Sequence, residues 1–404
     1  MESGRPLGVR TRWRAPVALA CALALAGCGP SGLGGRSPSA APLPPPSNAI
    51  EVSPLAETGD PNRIGSGPVK IALIAPLTGP HGPSMVGLSL RNAAELAVAA
   101  FDNADVTVIV KDDQSSPAGA RAAAQAAIAE GAELIVGPLF SANVREVGAI
   151  ARTAGKPVIG FSTDASVAGR GVYLLSFQVE AYVDRIVDYA AARGKRSMAA
   201  LIPNTDYGRV AEAAFLAAAA RNNVQVMAVE RLPSPAAAQK IASLGAQSDA
   251  LFIPEQAEAM AGLSQALVSA GVNGKRVQIL GTGVWNDARV LKLGALQGAW
   301  FAAPENVGFA GFAASYRDKY GADPSRIATL AYDAVALSVA LARQQGSERF
   351  TEQVLQGTSG FSGTDGIFRF RPDGQNERGL AVQMIRDGST SVISPAPRSF
   401  GGAT

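Results

Sequence analysis

The 404-residue sequence predicts an α/β protein of two lobes, each a doubly wound, mostly parallel sheet covered by helices. Three observations carry this expectation. From Val69 onward, short apolar runs rich in β-branched residues alternate with helical segments, the pattern of parallel strands joined by right-handed crossovers. More than ten such runs occur, which exceeds what one twisted sheet usually holds. The chain is 47% hydrophobic and holds only two cysteines, both near its start, so it must rely on apolar cores rather than disulfides.

Taken in order, "VKIALIAP" reads as a strand buried on both faces. In "SMVGLSLRNAAELAVAAF", Val86, Leu90, Ala93, Ala97 and Phe101 recur three or four apart, which gives a helix one apolar face. The strand "DVTVIVKDD" follows. Next comes the helix "SPAGARAAAQAAIAE", with Ser116 placed to cap it and Pro117 in its first turn. "ELIVGP", a helix over 141–153, "KPVIGF" and "VYLLSF" complete a first series. A second series starts near Val179, with strands "MAALIP", "VQVMAVE", "DALFIP", "VQILGTG" and "GAWFAAP" separated by helices. "RIATLAYDAVALSVALARQ" is a long buried helix, and "GIFRF", "LAVQMIRDG" and "TSVI" are strands without long helices between them.

The first 68 residues read differently. Arg5, Arg10, Arg12 and Arg14 precede an apolar core from Ala15 to Ala26, which is too short to span a bilayer and fits an export signal over 1–27. Residues 29–68 contain nine prolines and seven glycines, the composition of a tether. Residues 1–27 carry four arginines and one glutamate, the same +3 as the whole chain, so the remainder is near neutral (+3 − 3 = 0). No basic patch for nucleic acid is visible.

Ligands of doubly wound sheets gather at the carboxyl ends of the strands. The loops expected there are "LTGPHGPS", "DDQSSP", "GPLFSAN" and "FSTDAS" in the first lobe, and "PNTDYG", "PEQAE", "GTGVWND" and "APEN" in the second. Small hydroxyl residues, glycines and a few aromatics suit a polar small molecule. Catalysis fits poorly. The single histidine, His81, excludes an H-E-x-x-H zinc site, and Gly160-Phe161-Ser162-Thr163-Asp164 lacks the second glycine of a nucleophile elbow. No Walker A motif occurs, and no metal or cofactor is expected. Asp112 and Asp113 are adjacent on a strand and point to opposite faces, so they do not form a catalytic pair.

Leu25-Ala26-Gly27-Cys28 resembles the lipobox of bacterial lipoproteins, which implies a lipidated Cys28 and a membrane anchor. Gly29, in place of the aspartate that retains such proteins at an inner membrane, implies the periplasmic face of the outer membrane where two membranes exist. "IALIAPLTGPHGPSMVGLSLRNAAELA", the stretch from "DDQSSPAGARAAAQ" to "GKPVIGFST", "NTDYG" and "GTDGIFRFRPDGQNERGLAVQMIRDG" resemble type 1 periplasmic binding proteins of the leucine/isoleucine/valine-binding family. "IVGPLF", "GVYLLSF", "LGTGVWND" and "RIATLAYDA" resemble within it the lipoproteins known as penicillin-binding protein activators and ABC-transporter substrate-binding proteins.

The resemblance implies two lobes joined by three crossovers, near Ser176, Pro304 and Phe361. The first lobe is then 69–175 and 306–361, and the second 176–305 and 362–404, after a lipidated tether over 28–68. It implies that Ser141, Ser162 and Thr163 hold a ligand carboxylate, although each hydroxyl serves equally as a helix cap. Tyr207 falls where the family places an aromatic over the ligand, or packs within its lobe. Where amino-acid binders carry an acid for the ligand ammonium, this chain has Thr282, with bulky Trp285 beside it. Glu255 or Asp287 are the substitutes.

The leading expectation is a non-enzymatic, anchored receptor that passes a small polar ligand, an amino acid or peptide-like molecule, to an ABC permease. The runner-up is a regulator that docks on a peptidoglycan synthase. A cleft plugged by Trp285 or Phe140 favours the second.

Overall fold

The computed structural model describes residues 60, 62–232, 237–272 and 277–400. The export signal, Cys28 and the tether up to Gly59 lie outside the described residues.

The first lobe opens with β1 (Arg63–Ile64), β2 (Val69–Ala75) and a small hairpin, β3 (Thr78–Gly79) with β4 (Gly82–Pro83). Then follow α1 (Met85–Ala99), β5 (Val106–Asp112), α2 (Pro117–Ala129), β6 (Leu134–Val136), α3 (Ser141–Thr153), β7 (Val158–Gly160) and β8 (Val172–Leu174). The caps explain the helix starts. Ser84 accepts from Gly87 N in α1, and Ser116 accepts from Gly119 N in α2 with Pro117 behind it. The sheet order is β1-β5-β2-β6-β7-β8, all parallel except β1. β1 corrects the expected start of the fold, because Arg63 and Ile64 pair with Ile109 and Val108 rather than belonging to the tether.

The second lobe runs through α4 (Val179–Ala192), β9 (Ser197–Pro203), α5 (Asp206–Arg221), β10 (Gln225–Leu232) and α6 (Ala237–Gln247). It continues with β11 (Ala250–Phe252), α7 (Ala257–Ser269), β12 (Gln278–Gly281), α8 (Ala288–Leu291) and β13 (Trp300–Ala303). The chain then returns to the first lobe with α9 (Asn306–Tyr320), α10 (Ala328–Gln344), α11 (Glu352–Leu355) and the three-stranded sheet of β14 (Phe361–Gly363), β15 (Gly366–Phe370) and β16 (Asn376–Arg378). It ends on the second sheet as β17 (Ala381–Arg386) and β18 (Ser389–Ser394), giving the order β10-β9-β11-β12-β13-β17-β18. The last two strands are antiparallel additions to an otherwise parallel sheet.

Each main sheet is buried on both faces. α1 and α10 cover one face of the first sheet, and the alanine-rich α2 and α3 cover the other. In the second sheet, α4 and α5 enclose Met198, Phe252 and Leu280, while Ile241, Leu267 and Trp285 fill the opposite side. Phe368 and Phe370 of β15 join the first core. The third passage between lobes therefore lies at Gly379-Leu380, after β16, and not near Phe361; residues 362–378 pack with the first lobe. Two side-chain amides tie the passages together: Asn376 Nδ2 donates to Ser176 O (3.0 Å), and Gln383 Nε2 donates to Pro304 O (2.8 Å).

Candidate functional site

In a doubly wound sheet the strand order reverses beside the first strand of the series, and the loops there splay apart into a crevice. In the first lobe that point lies between β2 and β6, so its crevice is formed by the loop after Ala75 and by Gly137–Phe140 leading into α3. In the second lobe it lies between β9 and β11, which brings forward the start of α5 and the loop Ile253–Gln256. Ser141 begins α3, Tyr207 lies in the first turn of α5, and Glu255 precedes α7.

α3 starts without a side-chain cap. Its N-cap residue is Phe140, which has no polar group to offer, and the first amide with an intrahelical partner is Val144 N. The amides of Ser141, Ala142 and Asn143 therefore remain available to an anion at the positive end of the helix. The neighbouring loop after β7 is built around this end. Ser162 is buried and accepts from Asp164 N at 3.1 Å, while Thr163 is exposed. The Asp164 carboxylate is held below the ordinary range, chiefly by the Ser166 hydroxyl, with Arg145 and the Ser141 hydroxyl also contributing. Ser141, Ser162 and Asp164 thus form one cluster.

The loop after β2 is fixed by Asp112, which accepts from Leu77 N (3.0 Å), Thr78 N (3.2 Å) and Thr78 Oγ1 (2.6 Å). Asp113 points inward, fully buried, and accepts from Asn143 Nδ2 at 2.9 Å; burial raises its pKa. The two aspartates serve separate structural tasks. His81 sits exposed at the hairpin turn.

In the second lobe, the Tyr207 and Thr282 hydroxyls share a 2.6 Å hydrogen bond. Burial pushes the Tyr207 phenol up to about 12, against the opposing bond from Thr282. Thr282 has no exposed surface, and its hydroxyl is spent on Tyr207. Gly283 lies against the ring of Tyr182, where a Cβ would come within 2.5 Å. Trp285 also has no exposed surface and packs in the second lobe's core with its ring centroid 6.5 Å from that of Phe301. It neither plugs a crevice nor meets one. Phe140 is 45% exposed beside the start of α3.

The acids of these second-lobe loops differ in what they already hold. Asp206 pairs with Arg209; Asp287 caps α8 and pairs with Arg289 at 2.7 Å; Glu258 pairs with the same arginine. Glu255 is only 8% exposed and accepts from Gln256 N at 2.7 Å, with no ion-pair partner among the described residues. Among Asp206, Asp287, Glu258 and Glu255 it is the one without an ion pair.

Sequence reasoning passed over the residues between the lobes. Arg326 precedes α10, lies over the rings of Phe309 (4.5 Å) and Phe177 (4.7 Å), and grips Asp365 through two bonds of 2.6 and 3.0 Å. Thr329 Oγ1 adds a third bond to Asp365 at 2.6 Å. Tyr182 of α4, 7% exposed, lies next to this pair, and burial pushes its phenol upward. The signal was present in "RIATLAYDA" and "GTDG", but nothing in their spacing shows that Arg326 and Asp365 meet.

A family model described as "Periplasmic binding protein" matches residues 68–390. No curated protein sequence matches the chain. Among solved structures, a putative branched-chain amino acid ABC transporter protein of Rhodospirillum rubrum is 21% identical, with 80% of this chain and 99% of that one aligned at a TM-score of 0.72. The branched-chain amino acid substrate-binding protein LivJ of Streptococcus pneumoniae, solved with isoleucine, is 22% identical over 81% of this chain and 99% of its own, at 0.57. A solute-binding protein of Rhodopseudomonas palustris, solved with 3,4-dihydroxybenzoic acid, is 21% identical over 81% and 96%, at 0.58. At these identities the likeness is one of fold.

Proposed function

Since the chain belongs to the periplasmic binding protein family, we propose that it captures a small polar solute, an amino acid or peptide-like molecule, for ABC-type transport. The observations that support this reading most are the groups of complementary charge preference at the strand-order reversal of each lobe. The first lobe offers three unbonded amides and the Ser141 hydroxyl at the start of α3, which suit a carboxylate. The second offers the Glu255 carboxylate, without an ion pair among the described residues, which suits an ammonium. Closure of the lobes about their three passages would then exclude water and strengthen both interactions. Ser162 and Thr163 support the carboxylate end and Tyr207 the second-lobe wall. Thr282 acts through Tyr207, and Trp285 acts as core.

Lipidation of Cys28, anchoring at the periplasmic face of a membrane and partnership with an ABC permease belong to the same proposal. The test is a thermal-shift screen against amino acids, short peptides, aromatic carboxylates and muropeptide fragments. A ligand at a hundred times its Kd adds about 2.7 kcal/mol, enough to move the midpoint visibly. A hit that weakens on Ser141→Ala supports the reading. Silence across the panel would favour the alternative, a lipoprotein that docks on a peptidoglycan synthase; the exposed Phe140 beside α3 is the observation on that side.

A further inference from the structure

The chain crosses between the lobes once more after its last strand. β18 belongs to the second-lobe sheet, yet residues 395–400, which follow it, run back to the first lobe. Their path can be followed contact by contact. Ala396 N donates to Glu305 Oε1 at 3.1 Å, on the second passage. Pro397 lies against Gly379 on the third passage, where a Cβ would come within 3.1 Å of the Pro397 carbonyl oxygen. Phe400 reaches the first lobe, with the Arg369 guanidinium carbon 4.6 Å from its ring centroid.

Each end of this segment is received by groups already held in place. Arg369 of β15 pairs with Glu377 of β16 at 2.7 Å and donates to Thr358 O at 3.1 Å, so the cation facing Phe400 is anchored within the first lobe. Gly360 makes room for the ring: its φ is +70°, and a Cβ there would come within 2.8 Å of Phe400. Glu305 precedes α9 but gives it no side-chain cap; its carboxylate serves Ala396 instead. Between these ends Pro395, Pro397 and Arg398 are exposed, and the segment borders a cavity of about 570 Å³ shared with Val307, Thr364 and Ile367. The segment is thus held at separate points with open space beside it, and its two prolines stiffen it.

We propose that residues 395–400 are a strap that ties the two lobes together and restrains bending at the three passages. Fully extended, six residues reach at most about 20 Å. A stiff segment of that length, fixed to both lobes, limits how far its attachment points separate when the lobes move about their passages. The inference rests on the contacts of the strap alone and does not depend on which solute the protein binds.

Hydrogen–deuterium exchange of the purified protein, read by mass spectrometry, compares the unaltered chain with Phe400→Ala, Phe400→Tyr and a chain ending at Ser394. The first passage, around Ser176, decides the matter, since none of the strap's contacts given above reaches it. Its amides should exchange roughly two- to fivefold faster in Phe400→Ala, the weight of one exposed cation–π contact, and faster still in the shortened chain. Phe400→Tyr keeps the ring and should match the unaltered protein. Strands β2 and β9, inside the two lobes, should keep their original rates in every variant. Unchanged exchange around Ser176 in both Phe400→Ala and the shortened chain would overturn the proposal. So would an equal acceleration in β2 and β9, because the segment would then support the fold as a whole and not the angle between the lobes.

Discussion

The hydroxyls of Tyr207 and Thr282 lie 2.6 Å apart and join the first turn of α5 to the loop after β12. Thr282 is fully buried, so removing either group leaves its partner without a bond in a dry place. Tyr207→Phe and Thr282→Val should each destabilise the protein by about 1–2 kcal/mol, while the double variant costs less than their sum. A double-mutant cycle by urea unfolding checks this. Additive losses would mean that the two hydroxyls do not depend on each other.

Trp285 belongs to the core of the second lobe, and Gly281 makes room for it: a Cβ on Gly281 would come within 2.3 Å of the indole. Trp285→Ala should cost about 3–5 kcal/mol through the cavity it leaves. Gly281→Ala should cost about 1–3 kcal/mol through overpacking. Neither should alter the affinity of the remaining folded protein for a solute by more than a small factor, as calorimetry well below the unfolding midpoint would reveal.

Asp333 gives the molecule a pH dependence of known sign. Burial pushes its carboxyl from 3.8 up to about 6, against the attraction of Arg378. Between those values the folded state keeps a proton that the unfolded chain has released. Its contribution to stability is therefore greatest at the acid end, declines as pH rises from about 4 to 6, and is level above that, a change on the order of 1–3 kcal/mol. Asp333→Asn keeps an oxygen for Thr364 N and should flatten this part of the profile in chemical unfolding at several pH values. An unchanged slope in the variant would place the titration elsewhere.

Much of the fold was legible because its signals are local. The apolar runs at Val69 and Met198, the Ser116 cap and Pro117 each declare their element within a few residues. What stayed hidden depends on distant pairings. Arg63-Ile64 is too short and polar to read as a strand, and its membership of the first sheet exists only through Ile109 and Val108. Phe368 and Phe370 read as strand, but which core they enter is decided by the packing of α10 and β8, not by their own spacing. At the candidate site, the hydroxyls and Glu255 are named through the family resemblance rather than from their own spacing. That Thr282 is spent on Tyr207, Asp287 on Arg289 and Arg326 on Asp365 could not be read, since each partnership joins segments apart in the chain or a turn whose shape the sequence leaves open.

On the proposed reading, the start of α3 and Glu255 grip the two ends of one solute. Isothermal titration of a ligand found by screening, with the unaltered protein, Ser141→Ala and Glu255→Gln, tests it most directly. Each lost charge-assisted or hydroxyl contact is worth about 1.5–3 kcal/mol, so affinity should fall roughly 10- to 100-fold in both variants while their unfolding midpoints stay close to the original. Full affinity in both variants would contradict the claim and move the binding site away from these crevices.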